Sequence, residues 1–336
     1  MTARILVIGD PHIRIEEEIA IQHYIQSIDK LIKTTSPNII VILGDILHNH
    51  EKIHSSSMNL AYSFFNVCRK NAKTFCLVGN HDAINNQIFL TDQHWMNGCK
   101  EWDNLTIVDK GTIFEYEGIQ LCLIPYVPDG RFKEALSLTE GWEDSQFLFS
   151  HQLFNGCQMG PIIASNVEEY EDDYPLCFNG HIHTYQKIKP NLYCIGSSRP
   201  IGYADTQTKK CMFITATLNE DGSCKCKLKE YQVDNIVKQT YIHTVNELDK
   251  VVLIKDCKYV IKGTQEELKC FKKSKVYEEI IKQRISYQLR VDKVIKEEDV
   301  RIEESCKFFD RLYKHIENDM DLIPIYTGLH TSIGTS

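Results

Sequence analysis

Five apolar runs in this chain end in the same way: each gives out at a small or polar residue, and Asp, Asn or His follows within three positions. Ile39-Ile40-Val41-Ile42-Leu43-Gly44 leads into Asp45 and, three residues on, His48. Arg4-Ile5-Leu6-Val7-Ile8-Gly9 leads into Asp10 and His12, and Thr74-Phe75-Cys76-Leu77-Val78-Gly79 into Asn80, His81 and Asp82. Phe147-Leu148-Phe149-Ser150 leads into His151, and Leu176-Cys177-Phe178-Asn179-Gly180 into His181 and His183. Consecutive aliphatics without alternation read as strands buried on both faces, as in parallel or mixed sheets. In open α/β sheets the carboxyl edge of such strands is where ligands bind. The five runs therefore bring Asp, Asn and His to one edge, and Asp45 is the candidate for a carboxylate shared between two metal ions.

The segments between the runs carry helix signals. Ile21, Tyr24, Ile25, Ile28, Leu31 and Ile32 recur at helical spacing up to Pro37. Ser55 to Ser57 can cap a second helix carrying Met58, Ala61, Tyr62, Phe65 and Cys68. Strand–helix alternation implies right-handed crossovers and an α/β sheet. Short strands follow over Leu105 to Ile124 and again over residues 185–218, which predicts a second sheet packed on the first. From about residue 219 the texture turns polar and Lys-rich. Strands at Val251–Ile254, Tyr259–Ile261 and Ser286–Val291, with a helix from Glu266 to Arg284, suggest a small α/β module. A last helix is expected from Asp299 to Met320. The expected division is residues 1–240 for the main domain, 241–298 for the small module and 299–330 for a helical partner-binding segment.

Composition narrows the class. The chain has 336 residues, 43% hydrophobic and 25% charged, which is ordinary for a globular protein. No apolar run approaches the ~18 residues that a membrane span needs, and no leader-like segment precedes the first strand. The 13 cysteines are scattered without a Cys-x-x-Cys pair, the pattern of reduced core thiols in an intracellular, reducing compartment. Net charge is −8, but residues 1–205 hold 15 Lys and Arg against 25 Asp and Glu, while residues 206–336 hold 23 against 21. An acidic half bearing candidate metal carboxylates joined to a mildly basic half suits a metal-dependent enzyme with a separate binding domain. A pI near 5.9 argues against a purely electrostatic DNA binder.

Oxygen ligands from Asp and Asn and nitrogen ligands from His suit Mn²⁺, Fe²⁺ or Zn²⁺. Asp10-x-His12 sends alternate residues off a strand end in the same direction. Two ions about 3.5–4 Å apart need a bridging carboxylate and supply a hydroxide that attacks phosphorus in line. A histidine that is not a ligand is then free to protonate the departing oxygen. His48-Asn49-His50 spells the letters of an unrelated nuclease motif whose residues belong on a ββα unit, so it is read as coincidence, with His50 in solvent.

Asp10-Pro11-His12, Gly44-Asp45-Ile46-Leu47-His48, Gly79-Asn80-His81-Asp82, His151 and Gly180-His181-Ile182-His183 together resemble, in order, the signature of the calcineurin-like metallophosphoesterase superfamily. The resemblance implies a two-sheet sandwich flanked by helices. It also implies that Asp10, His12, Asp45 and His183 hold one metal ion and that Asp45, Asn80, His151 and His181 hold the other. His81 would act as acid or transition-state stabiliser, with His48 close by and Asp82 orienting it. A narrower resemblance is to the SbcD-type nuclease subunit of double-strand-break repair complexes. Asn191-Leu192-Tyr193-Cys194-Ile195-Gly196-Ser197-Ser198 is similar to that family's Tyr-x-Gly-Ser turn. Asp205 and Lys209-Lys210 precede a strand as its acidic residue and Lys do, with Asp where Glu is more usual. Tyr259 to Glu267 looks like a strand of its capping domain entering a helix.

That resemblance implies a Mn²⁺-dependent DNA exonuclease and endonuclease working with an ATPase of the structural-maintenance type; a homodimer stays open. Arg199, Lys187, Lys189 and Lys209 are candidates for phosphate contacts. Ile302, Cys306, Phe309, Tyr313, Ile316 and Met320, spaced 4-3-4-3-4, line one face of the expected last helix. In that family a C-terminal helical segment grips the ATPase coiled coil; the alternative for this helix, to which Phe308 and Leu312 point, is that it folds back on its own domain. A dinuclear phosphatase or cyclic-nucleotide phosphodiesterase is the alternative. A third reading, a scaffold subunit that binds ATPase and DNA without turnover, is opposed by the complete set of ligand-type residues.

Overall fold

A computed structural model describes residues 2–50, 53–202, 205, 208–236, 239–254 and 257–291. The expected helix from Asp299 to Met320 lies outside them. In chain order, the first elements are β1 (Thr2–Ile8), α1 (Glu18–Thr35), β2 (Ile39–Ile42), α2 (Ser55–Arg69), β3 (Lys73–Leu77) and β4 (Leu105–Val108). Then come β5 (Thr112–Tyr116), β6 (Ile119–Ile124), α3 (Phe132–Ser137), β7 (Phe147–Ser150), the short β8 (Gln158–Met159) and β9 (Ile162–Ile163), and β10 (Leu176–Asn179). β11 (Gln186–Lys189), β12 (Leu192–Cys194), β13 (Lys210–Leu218) and β14 (Cys224–Gln232) complete two six-stranded sheets.

The first sheet runs β14-β13-β1-β2-β3-β4 and the second β11-β12-β10-β7-β6-β5. Strands β1 to β4 are parallel, as are β6, β7, β10 and β12, with antiparallel strands added at the margins. The two-residue period of a strand explains why the apolar runs do not alternate with polar residues. Ile39 and Val41 point into the layer between the sheets, against Phe147, Phe149 and Phe178. Ile40 and Ile42 point the other way, to Ile21, Tyr24 and Ile28 of α1 and Phe64 and Phe65 of α2. On the far side of the second sheet, Cys122, Leu148 and Cys177 pack against Phe132 and Leu136 of α3. Every strand near the centre is thus covered twice, and each fully buried large aliphatic contributes about 1.5–3 kcal/mol.

Local signals explain the helix ends. Ser36 adopts a left-handed conformation and donates its N–H to Ile32 O at 2.7 Å, closing α1 just before Pro37, which disfavours a helical predecessor. Ser55, expected as a cap, lies inside α2; His54 precedes it and makes no side-chain cap bond.

The polar C-terminal region forms a third, all-parallel sheet in the order β15-β16-β17, from β15 (Thr240–Thr244), β16 (Lys258–Gly263) and β17 (Ser286–Val291). The expected long helix is two, α4 (Gln265–Phe271) and α5 (Lys275–Lys282). Ser274 interrupts it by accepting a bond from Tyr277 N at 3.2 Å, a cap that begins a new helix. Val251–Ile254 is not a strand: Ile254 N donates to the Tyr259 hydroxyl at 2.9 Å, a side chain standing where a strand partner would be. Among the described residues no helix is long and apolar enough to cross a membrane. The twelve described cysteines are all free thiols, nine of them buried.

Candidate metal centre

The carboxyl ends of β1, β2 and β3 meet those of β7 and β10 edge to edge. Asp10 and His12 follow β1, Asp45 follows β2, Asn80 and His81 follow β3, His151 follows β7, and His181 and His183 follow β10. The turns are tight. Gly44 has φ +105°, and the non-glycines His12, Asp45 and His181 are also left-handed, with φ of 44°, 49° and 69°. Such backbone costs on the order of 1–3 kcal/mol per residue and persists only where its surroundings enforce it. Here they do: His12 N donates to Asp45 O at 2.9 Å and Ile13 N to Ile46 O at 2.7 Å. A side chain on Gly79 would overlap Asp45 itself, so the β2 and β3 loops interlock only because that position carries none.

Asp45 sits between two groups of donors. Its Oδ2 lies 3.4 Å from His12 Nε2, and its Oδ1 lies 3.4 Å from His151 Nε2. The Asp10, His12, Asp45 and His183 ligand atoms fall within 4.8 Å of one another, as do those of Asp45, His151 and His181. His12 Nε2 and His183 Nε2 converge to 3.0 Å. Asn80 Oδ1 joins the second group, 3.0 Å from His151 Nε2 and 2.8 Å from His181 Nδ1. All the residues implied as ligands by the sequence signature are therefore brought to one place.

The donor set fits divalent cations. Both Asp10 carboxylate oxygens are buried without a hydrogen-bond donor, a costly arrangement for an anion unless a cation faces it. Burial raises the Asp10 pKa to about 7, only partly opposed by His151. Burial also lowers the pKa values of His12 and His183, and that of His181 to about 3, so these imidazoles are neutral and present lone pairs. His151 Nδ1 lies 2.6 Å from Leu43 O and donates to it, which turns Nε2 towards Asn80 and Asp45. Burial pulls the His151 pKa down, but the charges of Asp45 and Asp10 win and push it up to about 9. For Asp45, burial is outweighed by His151, His12 and His81, which hold it well below the usual carboxylate range. Asp45, Asn80, His151 and His181 would hold a divalent cation, whose charge would take the place of the proton on His151.

His81 borders the cleft without belonging to either group. Its backbone N–H donates to Asp45 Oδ1 at 2.9 Å and its Nδ1 donates to His48 O at 2.6 Å, leaving Nε2 on the cleft side, 4.0 Å from Asp45 Oδ2. Asp82 does not orient it. Both Asp82 oxygens accept from Ile46 N, and they also take bonds from Gly79 N, Leu47 N and Trp95 Nε1; Asp82 is the tie between the β2 and β3 loops. His48 Nδ1 lies 3.4 Å from His12 Nδ1, and His48 Nε2 lies 3.5 Å from Arg14 Nη1. His50 is exposed, as expected, and also stacks on His81 with ring centroids 4.2 Å apart.

The basic candidates separate. Arg199 is buried, donating to Pro11 O and His12 O and paired with the buried Glu17. It braces the β1 loop from below and is not placed to meet a phosphate. Lys187 lies over the Tyr193 ring at 4.9 Å, and Lys189 is paired with Glu169 and Asp172. Lys209 is buried, paired with Asp205 at 2.6 Å and donating to His183 O at 3.3 Å. Tyr126, which is not a ligand-type residue, packs beside His181 with centroids 6.0 Å apart. Its signal was another apolar run, Leu121 to Ile124, that ends in Pro-Tyr instead of Asp or His.

Comparison with known proteins agrees with this geometry. Residues 3–185 match the family model described as calcineurin-like phosphoesterase. The chain is 36% identical over 281 residues to protein 244L of Invertebrate iridescent virus 6, covering 81% of this chain and 98% of that one. It is 31% identical over 324 residues to protein 078R of Invertebrate iridescent virus 3, covering 94% and 93%. Both relatives are named phosphoesterases by inference. Matches to solved structures are distant. Vps29 of Chaetomium thermophilum gives 11% identity and a TM-score of 0.31 over 70% of this chain and 100% of that one. A phosphatase of Mycoplasma pneumoniae gives 8% and 0.36 over 70% and 95%.

Proposed function

We propose that this chain, which belongs to the calcineurin-like phosphoesterase family, is a Mn²⁺-dependent DNA phosphodiesterase with exonuclease and endonuclease activity. The observation that carries the reading is Asp45, whose two oxygens face two separate groups of His, Asp and Asn ligands. Asp10, His12, Asp45 and His183 would hold one ion, and Asp45, Asn80, His151 and His181 the other. Two such ions supply a water nucleophile at neutral pH and neutralise charge developing on the phosphoryl oxygens.

The chain's own side chains do the rest. Asp45 fixes the spacing of the two groups. Neutral His12, His181 and His183 offer nitrogens without first losing protons. His81, anchored through Nδ1 to His48 O, keeps Nε2 at the cleft, placed to pass a proton to the departing oxygen. His48 and His50 flank that ring and limit its rotation.

DNA as substrate is supported by the SbcD-like turn at Gly196-Ser197, by the small third sheet that follows the main domain in the chain, and by Lys225, Lys227 and Lys229. These three lysines are exposed at alternate positions, and so on one face, of β14. An ATPase of the structural-maintenance type is the partner that the resemblance implies, gripped by the segment 299–330. The runner-up, a phosphatase or cyclic-nucleotide phosphodiesterase, draws support from Lys189, whose charge is already taken up by Glu169 and Asp172. Labelled linear DNA with Mn²⁺, assayed beside p-nitrophenyl phosphate and cyclic nucleotides, separates the two. Mn²⁺-dependent DNA degradation exceeding small-ester turnover is expected; efficient small-ester hydrolysis with DNA intact would move the assignment to the runner-up.

A further inference from the structure

The cleft at the metal centre, about 430 Å³, has two chemically different sides. One is made of the metal-site residues. The other is Gln158, Met159 and Gly160 of the β8–β9 hairpin. In this hairpin Met159 pairs with Ile162 and Gln158 with Ile163. Met159, Ile162 and Ile163 are 40%, 62% and 63% exposed. Among the described residues twelve large hydrophobics are exposed, and three of them fall within this one five-residue span. Scattered singly they would need no account, but clustered at a functional cleft they mark a surface that something covers.

The hairpin is also held in place. Gly156 N donates to Ala164 O at 2.9 Å and Ala164 N to Cys157 O at 2.8 Å, closing its base. Gln186 on β11 then grips Gln158 from the side. Gln186 Oε1 accepts from Gln158 N at 2.9 Å and Nε2 donates to Gln158 O at 2.8 Å, so one side-chain amide imitates a neighbouring strand. The directly opposed pair Met159 and Ile162 share a face, and Met159 lines the cleft. An apolar, anchored face beside a phosphate-directed metal site has nothing to offer a phosphate or a sugar hydroxyl. It suits a flat apolar group attached to the phosphate, and Met is well adapted to contact with a π-face.

Resting on the DNA reading above, we infer that the hairpin pair Met159 and Ile162 receives the unstacked nucleobase next to the scissile phosphate. Aliphatic side chains inserted beside a base step are a recognised means of holding DNA unstacked. The enzyme then favours frayed or single-stranded DNA over the fully paired interior of a duplex, because a paired base has to leave its stack to reach the hairpin.

The test uses the full chain with Met159→Asp, Ile162→Asp and, as a variant that loosens the hairpin without altering its apolar face, Gln186→Leu. Each is assayed with Mn²⁺ on single-stranded DNA and on the same strand with an abasic residue beside the cleavage site. Mn²⁺ affinity is measured by calorimetry. The two Asp variants are expected to raise KM on intact single-stranded DNA by about tenfold, the scale of one lost base stack. Their Mn²⁺ affinity and their KM on the abasic strand should match wild type. Gln186→Leu should shift KM in the same direction by a smaller factor. Equal losses on intact and abasic DNA, or weakened Mn²⁺ binding, would mean that the hairpin merely supports the metal centre; unchanged KM throughout would mean that the substrate passes it by. A wild-type protein that cleaves no DNA overturns the underlying DNA reading instead, and shows itself before any variant is made.

Discussion

Asp45 can face two ligand groups because its backbone is held left-handed, at φ 49°, by bonds from the β1 and β3 loops. Removing its carboxylate takes an oxygen from both groups at once. Asp45→Ala is therefore expected to abolish both Mn²⁺ binding by calorimetry and phosphodiester hydrolysis. His81 differs, since it lies outside both groups. His81→Ala should lower kcat on the order of 10²–10⁴-fold while Mn²⁺ affinity is retained. Loss of metal in the His81 variant, or two bound ions in a crystal structure of the Asp45 variant, would reverse these roles. Asp82 shows how a carboxylate inside a signature can serve the scaffold, its oxygens being taken up by backbone and indole N–H groups.

At the scale of elements, the centre depends on loops that fit without clearance. Gly79→Ala introduces a methyl group where Asp45 already stands. The expected result is a loss of activity on the order of 10²-fold, typical of a displacement of about 1 Å at a reacting centre, with weakened Mn²⁺ binding as the direct measurement. A second tie lies behind the site. Asp109, just after β4, meets His94 Nε2 at 3.4 Å and Lys100 Nζ at 2.6 Å, joining the β4 end to the short 3-10 helix Trp95–Glu101. Its bond to His94 leads in lowering its pKa from 3.8 to about 2, with Lys100 assisting against burial. A depressed acid stabilises the fold above its unfolded pKa, and that contribution disappears as pH falls through the folded value. Asp109→Asn should therefore lower Tm at pH 7, and the gap to wild type should close between about pH 4 and pH 2. Because the group is partly solvated, the effect is expected to be about 1 kcal/mol or less. A gap that persists at pH 2 in thermal melts would show that the ion pairs are not its source.

For the whole molecule, the metal centre is a seam between two sheets: Asp10, Asp45 and Asn80 come from one and His151, His181 and His183 from the other. Ions bound there cross-link the sandwich and favour the folded state by mass action, by about 2.7 kcal/mol at a hundredfold excess over Kd. A 336-residue chain should show this as a rise in Tm of roughly 5 °C or more with Mn²⁺. The same titration on Asp45→Ala should leave Tm unchanged. An equal rise in both would place the stabilising ions elsewhere.

The strand-end chemistry was legible in the chain because it is local. An apolar run, a turn residue and a ligand-type side chain lie within a few positions, and strand geometry brings such ends to one edge. Helix α1 could be read for the same reason, from spacing and a stop before Pro37. Contacts across large sequence separations could not be read. β13 pairs with β1 from the far end of the domain, and β4 joins the first sheet while its sequence neighbours β5 and β6 build the second; edge pairing depends on which strand margins remain open once the layers have packed. Arg199 looked like a phosphate contact until its partner Glu17, 182 residues away, met it inside the fold. His50, exposed as its sequence context implied, gained a neighbour that no spacing announced when the β2 and β3 loops brought it over His81. The ligand types are a property of short segments, whereas the fate of each charge and ring around them follows from long-range packing, which no spacing encodes.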